Sequence, residues 1–413
     1  MSNRYLAYCI LLIGILFCPV ANAQTIHPYG LEQMMSVADE DLTGTTRFVG
    51  LAGAMTAVGG DPSAVIQNPA GLGVYRHSQF SVSAAGTFRR FVPSTGADNG
   101  VWYDRWHLSQ ISYVVALTHP ERVAGIISNN IMISYNRRAD IMCNVRINDS
   151  GARRNEANWI ETTIDEYGHR HDFDIHYAMN ISNTVLWGLG MTVEWLQTRQ
   201  TIDRWEYTAA DKRGLAREYD FVETASGKAV GWGASLGVLV RPIQLLRIGA
   251  SVESPVIGKM RETDYYTETM RYLRVTGMDV KYDSPNYNSS WRMLTPLKAS
   301  AGVGLQWTTH GLLSLQYDLR YHKLSGVSHT ARAGLEVAMT NHWFLEAGYA
   351  YSTLYTRHRG SVGLHYLGNW LRIGLAYSFS WSKDKVMDSL YYTEQGTFTT
   401  RENRIVFSFQ WNT

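Results

Sequence analysis

The sequence predicts an all-β membrane protein, an antiparallel outer-membrane β-barrel of about fourteen strands closed around a small N-terminal helical hatch, or plug. Three observations predict it. Segments near ten residues long alternate apolar with small or polar side chains from Gln79 to the end of the chain. The connections between these segments alternate short and long. A stretch of 26 residues rich in Gly and Ala, Arg47 to Leu72, precedes the first of them.

A leader comes first. Met1 to Ala23 has Arg4, an apolar run from Ile10 to Phe17, and the small-residue site Ala21-Asn22-Ala23, which together read as a secretory signal. The run is too short for a spanning helix, and no later segment is long and apolar enough for one. Phe17 before Cys18 is bulky where a lipoprotein signal needs a small residue. Of 3 cysteines only Cys143 follows the leader, so no disulfide can close within the mature chain.

Residues 24–76 form the expected hatch. Its first part, Gln24 to Thr46, turns weakly helical near Leu31 to Ala38 and reads equally as a helix or as a periplasmic tail. Phe48, Leu51, Met55 and Val58 then recur at helical spacing among Gly50, Gly53 and Ala54. Asp61-Pro62 and Asn68-Pro69 each set an N-cap residue before a proline suited to the first helical position. Three short helical turns follow from this. A peptide of this size makes no core of its own, so it must plug something larger, with Gly59-Gly60 and the turn from Asn68 to Gly73 as its flexible points.

Residues 77–413 are the expected barrel. Leu371, Ile373, Leu375, Tyr377, Phe379 and Trp381 share one face of a strand, while Arg372, Gly374, Ala376 and Ser378 share the other. Leu313 to Tyr321 and Val185 to Trp195 repeat the pattern. Aromatic residues stand at the strand ends, as interfacial girdles require. A soluble sandwich also alternates, but has no reason to put Trp and Tyr there. Short connections are expected at Thr118–Glu121, Ser182–Thr184, Arg241–Ile243, Thr308–His310, Thr340–Asn341 and Leu367–Gly368. Long loops are expected at Phe91–Trp106, Arg137–Arg170, Gln200–Gly227, Ser254–Met293 and Lys383–Thr400. The last strand, Arg404 to Trp411, sets Ile405, Phe407, Phe409 and Trp411 on one face.

The order of Gly53-Ala54, Asp61-Pro62-Ser63-Ala64 and Asn68-Pro69-Ala70-Gly71-Leu72, followed by strands to the end, resembles the N-terminal hatch of the FadL family. These are outer-membrane transporters of long-chain fatty acids and other hydrophobic molecules. The motifs cover the hatch, and the barrel is similar in architecture. The resemblance implies the outer membrane of a Gram-negative bacterium, with both termini in the periplasm. It implies passive uptake of a hydrophobic small molecule, held in an apolar pocket by Phe48, Leu51, Met55, Val65 and Ile66. It also implies lateral release at a kink in the third strand, where Ser128, Asn129 and Asn130 interrupt an apolar run. Those residues read equally as a strand end entering the interface. Members of the family that act as protein-secretion accessories or haem receptors supply the alternative.

Lumen-facing positions carry Asp172, Asp174, Glu194, Arg247, Glu253, Lys298, Asp318, Arg320, Arg332, Glu336, Glu346 and Arg372. Arg320 and Arg372 are candidate docks for a ligand carboxylate. The competing reading, which we prefer, is that these groups pair with one another. His169, His171 and His176 form a loose cluster without the further ligands of a metal site. No G-x-S-x-G elbow and no phosphate-binding fingerprint is present. A non-enzyme without metal or cofactor is therefore expected. A net charge of +2 gives no electrostatic case for nucleic acid. The expected partners are the hydrophobic ligand, outer-membrane lipid and, during biogenesis, the barrel assembly machinery. The protein is expected to be a monomer.

Overall fold

The computed structural model describes residues 40–93, 102–123, 125–149, 159–209, 216–273, 279–308, 311–323, 326–385 and 397–412. The leader, residues 24–39 and the reading of Leu31 to Ala38 lie outside them. Two short helices, α1 (Thr46–Gly50) and α2 (Pro62–Gln67), and a 3-10 turn (Pro69–Val74) precede the strands. The strands are β1 (Gln79–Pro93), β2 (Trp102–Val123), β3 (Ile126–Asp149), β4 (Trp159–Ile181), β5 (Val185–Thr208), β6 (Arg217–Ile243), β7 (Leu246–Glu253), β8 (Ile257–Tyr272), β9 (Val280–Asp283), β10 (Tyr287–Leu294), β11 (Leu297–Thr308), β12 (Gly311–His322), β13 (Gly326–Ala338), β14 (Trp343–Ser352), β15 (Arg357–Leu367), β16 (Leu371–Lys385) and β17 (Thr397–Asn412).

Every neighbouring pair is antiparallel, and β17 closes the circle on β1 from Gln79↔Asn412 to Pro93↔Phe398. The segments make a closed barrel of 14 strands. β7 and β8 run end to end along β6, and β10 and β11 run end to end beside them. Short β9 adds only to the far end of β8. Both breaks contain a proline, Pro255 and Pro296, which cannot donate to a ladder. The breaks sit side by side and satisfy each other: Val256 N donates to Thr295 Oγ1 at 2.8 Å, and Thr295 N donates to Val256 O at 3.2 Å.

Three of the expected long loops are corrected. Residues 137–149 continue β3 and 159–170 continue β4; 200–208 and 217–227 extend β5 and β6; most of 254–293 is β8, β9 and β10. The barrel wall rises far past the apolar band on this side. Above the band on β4 to β6 aliphatic residues such as Ile160, Ile164, Ile202 and Val222 stand sparsely among charged, polar and aromatic ones, so the period-two apolar signal weakens there although the strands go on. β12 to β15 stay short, leaving the opposite side of the mouth low. The expected turn at Thr118–Glu121 also moves, because β2 runs to Val123 with an irregular register after Thr118.

Lipid-facing side chains form the apolar band. Ile133, Ile175, Met191, Trp232 and Leu315 are all more than half exposed on the outer face. At one margin Trp370 lies tilted against Trp411, with ring centres 5.5 Å apart. At the other, tyrosine hydroxyls pair with histidines on the next strand: Tyr135 with His171 at 2.8 Å, Tyr317 with His329 at 2.6 Å, and Tyr349 with His358 at 2.7 Å. Each ring keeps its apolar body in lipid and its polar tip bonded.

Candidate functional site

The segment from Leu42 to Tyr75 lies inside the barrel and is almost wholly buried. Asp61 caps α2 by accepting from Ser63 N at 2.9 Å, and Asn68 caps the 3-10 turn by accepting from Ala70 N at 3.1 Å. Both caps are those the dipeptides Asp61-Pro62 and Asn68-Pro69 predict. Asp61 does more. Thr45 Oγ1 donates to it at 2.8 Å, and Thr45 N donates to Ser63 Oγ at 2.8 Å, so the start of α1 is tied to the start of α2.

Three short helical turns are present, but the helical spacing of Phe48, Leu51, Met55 and Val58 is not carried through in the first of them. α1 ends at Gly50, and Ala52 and Gly53 take positive φ values of 51° and 74°. The wall explains the break. Arg332 Nη1 donates to Ala52 O at 2.9 Å, a bond a continuing helix would have taken for itself. Glycines on the inner face let the backbones touch. An added Cβ on Gly348 would stand 2.5 Å from Ala52 N, and one on Gly188 would stand 2.6 Å from Ala70 N. Gly249, Gly334 and Gly374 meet Ala57, Leu51 and Thr46 in the same way on other strands. This glycine lining is the functional feature sequence reasoning missed. Its signal was present in the small face of β5, where Gly188 and Gly190 alternate with apolar residues. The two glycine-rich bends also hold each other, because Gly60 N donates to Gly71 O at 3.2 Å.

The proposed pocket residues separate. Leu51 and Met55 pack with Val58, Ala64 and Leu312, while Val65 packs with Leu72, Val114 and Met132. Phe48 packs against the first of these clusters and Ile66 against the second, and both also line a cavity of about 100 Å³ above the buried segment. Its remaining walls are mainly polar, with Glu40, Lys298, Arg320 and Arg359 among them. Arg320 lines this cavity but bonds Glu40 at 3.0 Å, and Arg372 lies elsewhere, donating to Gln410 Oε1 at 3.4 Å. The apolar pocket expected from these side chains is therefore a packed contact plus a charged cavity.

The expected inward charges all face the lumen, and most of them pair. Arg170 bonds Glu194 at 2.5 Å, Arg332 bonds Asp318 at 2.6 Å, and Arg47 of α1 bonds Glu336 through both oxygens, the longer bond at 2.9 Å. Lys298 joins Glu40 and Glu253, Arg138 joins Glu40, Glu253 and Asp172, and Asp174 accepts from Thr192 at 2.5 Å. Arg247 donates to Val58 O at 2.9 Å. Burial pushes the Glu40 carboxyl up, but Arg138, Lys298 and Arg320 outweigh it and hold the group well below its ordinary value of 4.5. A depressed carboxyl contributes stability above its unfolded value and loses it only as pH falls through the folded value. Docking of the residues around Glu40 is thus expected to persist as pH drops through 4.5 and to fail only well below it. Protease sensitivity of this segment, followed against pH, checks the order; release already near pH 5 contradicts it.

Ser128 and Asn130 point inward. Ser128 Oγ accepts from Arg76 at 3.1 Å, and Asn130 Nδ2 donates to Leu72 O at 2.8 Å and Tyr75 O at 3.1 Å. Asn129 faces the other way and accepts from Tyr177 at 3.2 Å. The β3–β4 register shifts at Ile126/Ser128 and again at Arg137/Ala139. At the second shift the wall also loses its ladder. β2 pairs β3 only from Gln110↔Asn136 downward, and the upper part of β2 pairs with β1 alone. The N-terminal segment fills this seam. Asp41 N donates to Arg138 O at 3.2 Å, Asp140 N donates to Asp41 Oδ2 at 2.7 Å, and Thr43 Oγ1 donates to Arg137 O at 2.9 Å. Arg89 and Arg404 each hold Asp41 Oδ1 at 3.0 Å.

His169 and His171 share the outer face beside Trp195, while His176 is buried on the inner face, so the three do not converge. Among the described residues, Glu336, Glu346 and His365 bring ligand-type atoms within 4.8 Å of one another. Arg47 already occupies both oxygens of Glu336, and His365 Nδ1 bonds Glu346.

No known family model and no curated protein matches the chain. Solved structures do. The toluene transporter TodX of Pseudomonas putida superposes with a TM-score of 0.62 at 15% identity, covering 90% of this chain and 99% of that one. A FadL homologue of Pseudomonas aeruginosa gives 0.62 at 14% identity, covering 90% and 99%. The toluene transporter TbuX of Ralstonia pickettii gives 0.59 at 15% identity, again over 90% and 99%. These superpositions, each over 90% of the chain, show that it has the fold of the FadL-like hydrophobic-compound transporters.

Proposed function

We propose that the protein carries hydrophobic small molecules, of the fatty-acid or aromatic-hydrocarbon kind, across the outer membrane by passive diffusion, with residues 24–76 as its hatch. Ligand enters at the tall-walled mouth, which faces outward, and leaves sideways through the β2–β3 seam into the membrane. The observation that carries this reading is that the seam is closed by Asp41 and Thr43 of the N-terminal segment rather than by a β-ladder. Movement of that segment would open the wall without breaking strand pairs. Hatch residues Gly53, Asp61, Pro62, Asn68, Pro69, Ala70, Gly71 and Leu72 set its shape, and the Ser128–Asn130 stretch anchors its end.

The test is uptake of toluene and of a long-chain fatty acid by cells that carry the protein. Wild type should raise uptake over cells lacking it. Asp41→Ala removes the acceptor shared by Arg89, Arg404 and Asp140 N, and should raise uptake several-fold further while ion conductance stays low. No uptake above background for either compound would overturn the reading.

A further inference from the structure

We propose that the low-walled side of the mouth holds a site for a small tetrahedral oxyanion of the phosphate class, built on Arg359. This goes beyond the transport reading and does not depend on it. Arg359 lies on β15 with its side chain turned inward, and it is 7% exposed. Its Nε is buried without a partner, and its guanidinium makes no hydrogen bond or ion pair with any described residue. Arg170 and Arg404, the two lumen arginines buried more deeply still, each have a carboxylate. The acid whose charge reaches Arg359, Glu402, is already held by Arg89 at 2.6 Å and Arg404 at 3.2 Å. A guanidinium taken from water without a counter-charge is costly, so the site calls for an anion from outside the chain.

The space around it fits a head group and little more. A cavity of about 30 Å³ is bordered by Arg320, Arg332, Arg357 and Arg359, by Thr330 and Ser352, and by Glu40, whose carboxylate is already bonded to Arg320. It adjoins the larger cavity through Arg320, Arg332 and Arg359. This is room for roughly two waters, too little for an alkyl chain. Four guanidinium groups, two hydroxyls and the one carboxylate of Glu40 border it. Thr330 Oγ1 donates to Ser352 Oγ at 3.1 Å, which leaves the Ser352 proton free to donate. Donors on several sides suit the tetrahedral oxygens of phosphate better than one planar carboxylate, and the guanidinium fork matches them in geometry.

The experiment uses the full chain in a non-ionic detergent. Inorganic phosphate is titrated at constant ionic strength against chloride, reading thermal unfolding and binding heat. Wild type should show a saturable, phosphate-specific rise in midpoint. Arg359→Gln should weaken binding at least tenfold, and Arg359→Lys should retain part of it. Ser352→Ala, which leaves the arginines in place, should weaken binding severalfold and guards against a fold defect in the arginine variants. An equal response in Arg359→Gln, or none beyond chloride in wild type, overturns the site. If dodecanoate binds at Arg359 and phosphate does not, the oxyanion inference fails while the transport reading stands.

Discussion

Gly188→Leu combined with Gly348→Leu is expected to expel the N-terminal segment and turn a closed barrel into an open pore. Each substitution puts a side chain where the backbone of that segment lies, with even the Cβ atoms at 2.6 Å from Ala70 N and 2.5 Å from Ala52 N. Such contacts cannot be relieved by a rotamer change, because the atoms met are backbone. The two sites lie on β5 and β14, far apart around the wall, so the segment cannot tilt away from both. The barrel itself should survive, since its ladder and lipid-facing residues are untouched. Planar-bilayer conductance should rise from near zero to a porin-like level, and protease should cut residues 40–76. Wild-type conductance in the double variant would show that the segment is not what closes the lumen.

Glu194→Gln is expected to cost about 3–5 kcal/mol of barrel stability, the price of unbalancing a buried ion pair. Arg170 is 2% exposed and meets Glu194 at 2.5 Å across the β4–β5 ladder. Removing the charge of Glu194 leaves a buried guanidinium without its principal partner. Replacing both, as Arg170→Met with Glu194→Leu, should recover most of the loss, because neither desolvated charge remains. Urea unfolding of the reconstituted protein measures both. A single variant within about 1 kcal/mol of wild type would mean that water or another group satisfies Arg170.

Some of this was readable from the chain and some was not. The alternation in Val185 to Trp195 placed Glu194 inside and Trp195 outside, because lipid and lumen impose opposite chemistry on successive residues. Asp61-Pro62 and Asn68-Pro69 marked their helix starts for local reasons, and local signals survive in sequence. The early end of α1 did not, since it depends on Arg332 reaching Ala52 O from a strand some 280 positions away. The tall wall was hidden because the upper parts of β4 to β6 carry few aliphatic residues among their charged and polar ones. The pocket residues divide between packing and cavity for a related reason. Leu51, Met55 and Val65 are apolar in the way a ligand site is, but equally in the way a packed contact is, and only the position of Gly334, Leu312 and Met132 separates the two. The unpaired state of Arg359 is a property of every neighbouring charge at once, and no spacing encodes it.

The route through the seam is the central claim, and photolabelling tests it most directly. A hydrophobic ligand bearing a photoreactive group would be supplied from the tall-walled side to the wild-type protein in native membranes. Labelling of Trp106 and Leu108, exposed residues on the β2 side of the seam, is the predicted result. Labelling confined to Phe344, Leu312 and Val74, around the cavity of about 220 Å³ at the short-turn end, would contradict it and place the exit straight through the barrel.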